Sequence, residues 1–336
     1  MRHKKWLRKI FFCMALSCIT ATGALAAGNI VISDGNGGIA SNINTGAITD
    51  SVTGTDPEVF GVWVNNLSSY TFNGTIDVEA NGETSAAAIG AYANDTDALS
   101  VGGIISASAN ATTASALGIV ANNSGTILNT SQITTYANGT DAYAAGILTL
   151  NSGALNNTGA ISSTAEGTDF ADARGIQVEG SSGNIANSGS LVVSAADFAF
   201  GIYADGAGNI DNEGNITVTS DNMAAGIYAN NTGTVANSGA IVVTGYQAAG
   251  IGANNTGAIS NSGDISATAV EEAAGIYAEK VNGGISNSAG VSVSASANAA
   301  DGIYAEDTTG SVSNTGIITA IGEWWAAGIH TSETGA

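Results

Sequence analysis

Asp169, Asp172 and Arg174 fall together in the segment STAEGTDFADAR and are the one place in the sequence where carboxylates and a cation crowd. Glycoside hydrolysis needs two carboxylates roughly 5 to 10 Å apart across the scissile bond. A lyase would in addition want a cation against the carboxylates of its substrate, and Arg174 could supply it. Glu271 and Glu272 form a second carboxylate pair without a neighbouring cation. A serine triad has no basis: His330 is the only histidine beyond residue 26, and no Gly-x-Ser-x-Gly occurs. No cofactor is expected, because the glycine clusters lack the lysine of phosphate-cradling loops, and no metal site is expected either. Aromatic residues in the same kind of segment make a candidate ligand surface: Phe170, Phe198, Phe200, Tyr246, Trp324 and Trp325, interleaved with Glu166, Asp197, Asp221, Asp301 and Glu323. A solvated rim that keeps the protein soluble is the plainer reading of that ridge.

The first 26 residues read as a cleaved export signal. Arg2, Lys4, Lys5, Arg8 and Lys9 make the basic start, an apolar run follows from Ile10 to Thr20, and Ala24-Leu25-Ala26 fits the cleavage pattern. The run is too short for a membrane span, which takes about 20 residues. Without the signal, Arg174 and Lys280 are the only bases against 28 acids, a net charge of 2 − 28 = −26, and no cysteine remains. So acidic a surface repels phosphate backbones, which excludes nucleic acid. Disulfides and thiolate metal sites are excluded as well.

The elements that must position these residues form a repeat. Equivalent glycines stand at 61, 90, 118, 146, 175, 201, 226, 250, 275, 302 and 328, with steps of 24 to 29 residues. Within one unit, Ile227 with Ala229, Val235, and Ile241 with Val243 alternate with polar residues at a period of two, the spacing that puts each set on one strand face. Asn230-Asn231-Thr232-Gly233 and Asn237-Ser238-Gly239 separate them with turn-forming amides and glycines. Three short strands per coil of about 25 to 29 residues predict an all-β, right-handed parallel β-helix solenoid over residues 27–336, of about twelve coils, each burying its apolar face on the next. A helical repeat fails on its glycines and β-branched residues.

Two columns then acquire a meaning. Asn157, Asn187, Asn212, Asn237, Asn261, Asn287 and Asn314 recur at one position and are expected to stack as an amide ladder that also bonds the turn backbone. The residue two after the register glycine, which includes Trp63, Tyr92, Tyr203, Tyr228, Tyr277 and Tyr304, alternates away from the buried isoleucine and is expected to face outward. Stacked outward aromatics could bind sugars, or could merely stabilise a sheet face.

The phrases AGIYANNTGTVANSGAIVV, AGIYAEKVNGGISNSAGVSV and DGIYAEDTTGSVSNTGIITA resemble the passenger domains of autotransporters, the type V secreted proteins of Gram-negative bacteria. The resemblance spans about residues 38 to 336. It implies a β-helix carried to the cell surface or outside the cell, anchored by an outer-membrane β-barrel that this sequence does not contain, and often engaged in adhesion to host or bacterial surface glycans or proteins. The sequence stops partway through a coil, so an uncapped C-terminal end and end-to-end self-association are expected. A surface-displayed or secreted stalk is the leading reading, with a polysaccharide-degrading β-helix enzyme acting through Asp169, Asp172 and Arg174 as the alternative.

Overall fold

Alternating apolar residues two apart become strands that pair in parallel, each with its counterpart one repeat further on. The computed structural model describes residues 30–33, 43–44, 46–181, 183–296 and 298–333, and the proposed signal segment 1–26 lies outside them. These residues form thirty strands and no helix, a parallel β-solenoid as the repeat predicts. In each coil a register strand that carries the repeat glycine, such as Met223–Asn230, leads through a turn to a short strand, such as Val235–Asn237. A second turn leads to a return strand such as Ile216–Ser220, and the return strand leads to the next register strand. Eleven short strands stack into one sheet, while register and return strands share a second.

The pairing is in register. Ile227 faces Ile251, Val235 faces Ile259, and Ile241 faces Ile265. At a rung spacing of about 4.8 Å, like packs on like, and columns of isoleucine, leucine, valine and alanine fill the interior with almost no exposure. The turn after the register strand is left-handed: Asn66, Asp95, Asn123, Asn151, Asn231, Asn255, Lys280, Asp307 and Glu333 have φ between 46° and 57°, and Gly180 and Gly206 take the same place. Asparagine, aspartate and glycine tolerate that conformation best, so the turn consensus has a backbone cause.

The amide ladder is present and one rung longer than expected. Asn129 Nδ2 donates to Asn157 Oδ1, and the chain continues through Asn187, Asn212, Asn237, Asn261 and Asn287 to Asn314, with distances of 2.6 to 2.7 Å. The second hydrogen of each Nδ2 goes to the carbonyl two residues on, as in Asn212 to Gly214 at 2.8 Å. Both donors are thereby used. At the open end the Ser131 amide and hydroxyl cap Asn129 Oδ1.

In four coils the return strand passes into the register strand without a break. Ile133–Leu150, Ile161–Glu179, Ile241–Asn254 and Ile265–Glu279 each run unbroken from return strand into register strand. The pairing absorbs the change of direction by register shifts at Gly139/Asp141 and Gly245/Gln247. Inserted residues are taken up as bulges, which bend a strand without ending it.

Replacing Asn212 by alanine removes two buried donors and leaves Asn187 Nδ2 without its acceptor and Asn237's partner position empty. The expected loss is about 2 to 4 kcal/mol in urea denaturation. Asn314→Ala at the half-buried end, which strands only Asn287 Nδ2 and the Gly316 carbonyl, should cost less, and equal losses would contradict the ladder's role.

Candidate functional site

The register glycine shapes the surface that the aromatic column lines. Pairing runs from Ala225–Ala249 to Ile227–Ile251 and skips Gly226. A Cβ on Gly226 would lie 2.3 Å from Ile241 Cγ2 and 2.7 Å from the Gly250 carbonyl oxygen, so only glycine lets the wall come this close to the return strand. The wall folds inward there. Outside it, the residue before the glycine and the residue two after converge: ring centroids are 4.9 Å apart for Phe60 and Trp63 and 5.4 Å for Phe200 and Tyr203.

The column therefore points away from the interior, yet at its tyrosine end it hardly reaches solvent, while Trp63 and Tyr92 stay half-buried, which corrects the expectation of an outward aromatic strip. Tyr203, Tyr228, Tyr277 and Tyr304 are at most 5% exposed. Tyr203 stacks on Tyr228 and Tyr277 on Tyr304, at 5.3 and 4.9 Å. The re-entrant corner holds two clusters separate from the interior core, one around Phe60, Ile89, Leu117 and Leu148, the other around Phe200, Met223 and the tyrosines. Alternation gives the parity of a side chain and is blind to a concave wall.

Asp172 and Arg174 occupy this corner between the two clusters. Arg174 Nε and Nη2 donate to Asp172 Oδ1 and Oδ2 at 3.1 and 2.7 Å, a bidentate pair. The guanidinium lies 4.1 Å from the ring centroid of Tyr203, with Phe200 and Tyr143 further out, and Glu179 Oε1 is 3.9 Å from Nη1. The exposure of Asp172 is 2% and of Arg174 5%. Burial works against the charge of Arg174, but Asp172 and Tyr143 outweigh it, and its pKa rises above the usual guanidinium value. Tyr143 donates to Gln177 Oε1, and Gln177 Nε2 to Glu179 Oε1. Asp169 stands apart, exposed where the strand turns the corner. The structure thus brings two of the three candidate catalytic residues together, both covered, and leaves the third outside.

The aromatic ridge divides in the same way. Phe200 is buried in the corner, and half-buried Phe198 meets Phe170 at 5.9 Å. Tyr246, Trp324 and Trp325 are exposed by 43, 80 and 51%. Trp325 Nε1 donates to Asp301 Oδ1 at 3.1 Å. Among the described residues no three His, Cys, Asp or Glu side chains are placed to hold a metal ion.

Burial pushes the phenol of Tyr203 up to about 12, against the lowering effect of Arg174. Tyr143 and Tyr228 are raised by burial, and Tyr277 and Tyr304 by burial reinforced by Glu279 and Glu306.

Two predictions come from this corner. Arg174→Met leaves Asp172 buried and unpaired and should destabilise by about 3 to 5 kcal/mol, whereas the pair exchange Asp172→Leu/Arg174→Met should cost much less, read by chemical denaturation of both variants. Phenols raised on folding stabilise the folded state fully below the unfolded value of about 10 and lose that contribution as pH climbs through the folded values. The thermal midpoint should hold to pH about 9 and fall between about 10 and 12, with phenolate absorbance lagging free tyrosine.

In comparisons with known proteins, the family model described as the BigA third pectate lyase-like domain matches residues 17–263, well over half of the chain. Neither the curated proteins nor the solved structures give a match.

Proposed function

The chain belongs to the family of the BigA third pectate lyase-like domain, and from that premise we propose that it is an exported, non-enzymatic β-helical stalk that presents its surface to host or bacterial glycans or proteins. One observation carries the reading. Among the described residues the only cation within reach of candidate catalytic carboxylates is spent in a bidentate ion pair under aromatic rings. A lyase needs that cation on the substrate and a base free to take a proton. Arg174 cannot turn outward without leaving Asp172 as an uncompensated buried charge.

Display at a cell surface is supported by the signal-like start and by the passenger-like repeats. An outer-membrane barrel would supply the anchor. On this reading exposed Tyr246, Trp324 and Trp325 offer the contact surface, and the rigid ladder holds them at fixed spacing.

Incubation with polygalacturonate and other acidic polysaccharides should release no unsaturated product, while the purified protein should bind bacterial or host-cell surfaces less well after Tyr246→Ala or Trp324→Ala/Trp325→Ala. Turnover that disappears in Asp172→Asn with the fold intact would establish the enzyme instead.

A further inference from the structure

The return strands carry a surface unlike the rest of the molecule. Their second and fourth residues point outward, and from Ser106 to Ile321 neither position holds a charge in any coil. Serine and threonine dominate, with valine between them. The centre of the strip is Thr217 and Thr219, then Val242 and Thr244, all exposed, with Val192 on one side and Val270 on the other. Val192, Val242 and Val270 are 45 to 50% exposed, and Tyr246 continues the outward alternation of Val242 and Thr244. Charge returns beyond the strip's first rung, where Asp77 and Glu79 hold the same two positions. It returns at the sides too, with Glu213 and Asp264 in the turn and Asp197 and Asp221 at the corner.

We propose that this uncharged sheet face is a lateral contact between two copies of the chain, packed antiparallel about a twofold axis near Thr219 and Val242. The argument is electrostatic first. Beyond residue 26 the chain carries 28 acids against two bases, and two such rods repel wherever acids face acids. Among the described residues the strip is a long sheet face that carries no carboxylate in either of its two outward columns. A twofold arrangement lays the patch on itself, as an isologous interface requires. Outward valines and threonine methyls supply apolar surface, and the hydroxyls can bond across or to trapped water.

The dimensions set the strength. Nine rungs at about 4.8 Å make a strip of roughly 40 Å, and at a width of about 12 Å two copies would cover about 1,000 Å² in total, the lower limit for a specific contact. The dimer is therefore weak and reversible, and its acidic margins oppose it. Salt, by screening those margins, tightens it, the reverse of an association built on ion pairs.

The test is sedimentation velocity of the chain over a range of concentrations, at about 0.01 M and about 0.5 M salt. A monomer–dimer equilibrium is expected, about tenfold tighter at the higher salt. Thr219→Asp/Val242→Asp places carboxylates at the centre of the contact and should leave only monomer, with an unchanged far-ultraviolet spectrum showing that the fold survives. Thr219→Ser/Val242→Thr, which keeps the face neutral, should still dimerise, and so should Trp324→Ala/Trp325→Ala on the ridge. A monomer at every concentration and salt overturns the proposal. So does growth beyond dimer that ignores the two aspartates, because it would place association at the ends of the rod. Neither outcome touches the surface-binding role at Trp324 and Trp325, which lie off the strip and are tested by their own double variant on cells.

Discussion

Everything in this molecule answers to in-register parallel stacking. Strand amides and carbonyls of one coil bond the coil before or after it, so residues at equivalent positions lie one strand spacing apart along the stack. A column can hold only side chains that tolerate their own kind as neighbours. Isoleucine and valine do so inside, where packing like on like excludes water. Asparagine does so at the turn because its amide is donor and acceptor at once. Carboxylates do so badly, and from Ser106 to Ile321 the outward return-strand columns hold none, although Asp77 and Glu79 stand at the same positions one coil earlier.

The re-entrant corner is a second consequence. A solenoid wall that bent only outward would leave its external side chains in water. Here the register glycine lets the wall approach the return strand until a methyl group would collide with Ile241 or the next glycine's carbonyl. The fold thereby gains a second buried compartment on its outer side. Stacked tyrosines fill it at one end, and aliphatic side chains with Trp63 and Tyr92 at the other.

Arg174 joins these compartments. Its cation lies against the face of Tyr203, its charge is met by Asp172, and Tyr143, Gln177 and Glu179 complete a polar layer between two apolar ones. Buried ion pairs of this kind add little net stability relative to apolar packing, but removing one partner is costly. The same geometry that makes the pair structurally committed keeps its cation covered, and a pectate lyase-like shape does not by itself carry lyase chemistry.

The sequence by itself determined the coil. Period-two alternation, glycine and amide turns and a regular repeat specify strands that must stack, and the asparagine column is readable because a ladder is a property of repetition alone. The turn amides and glycines were legible for the same reason, whereas Lys280 and Glu333 take the left-handed place without that signal. Only the tertiary structure decided which outward residues meet solvent. Tyr228 and Val242 both alternate away from a buried isoleucine, yet Tyr228 is 2% exposed and Val242 45%, because the wall is concave beside one and flat beside the other. Asp172 and Arg174 are two apart on one strand, a spacing that fits a solvent-facing pair and a buried one equally well. Curvature of the wall comes from contacts between strands far apart in the sequence, and periodicity within a strand carries no information about it.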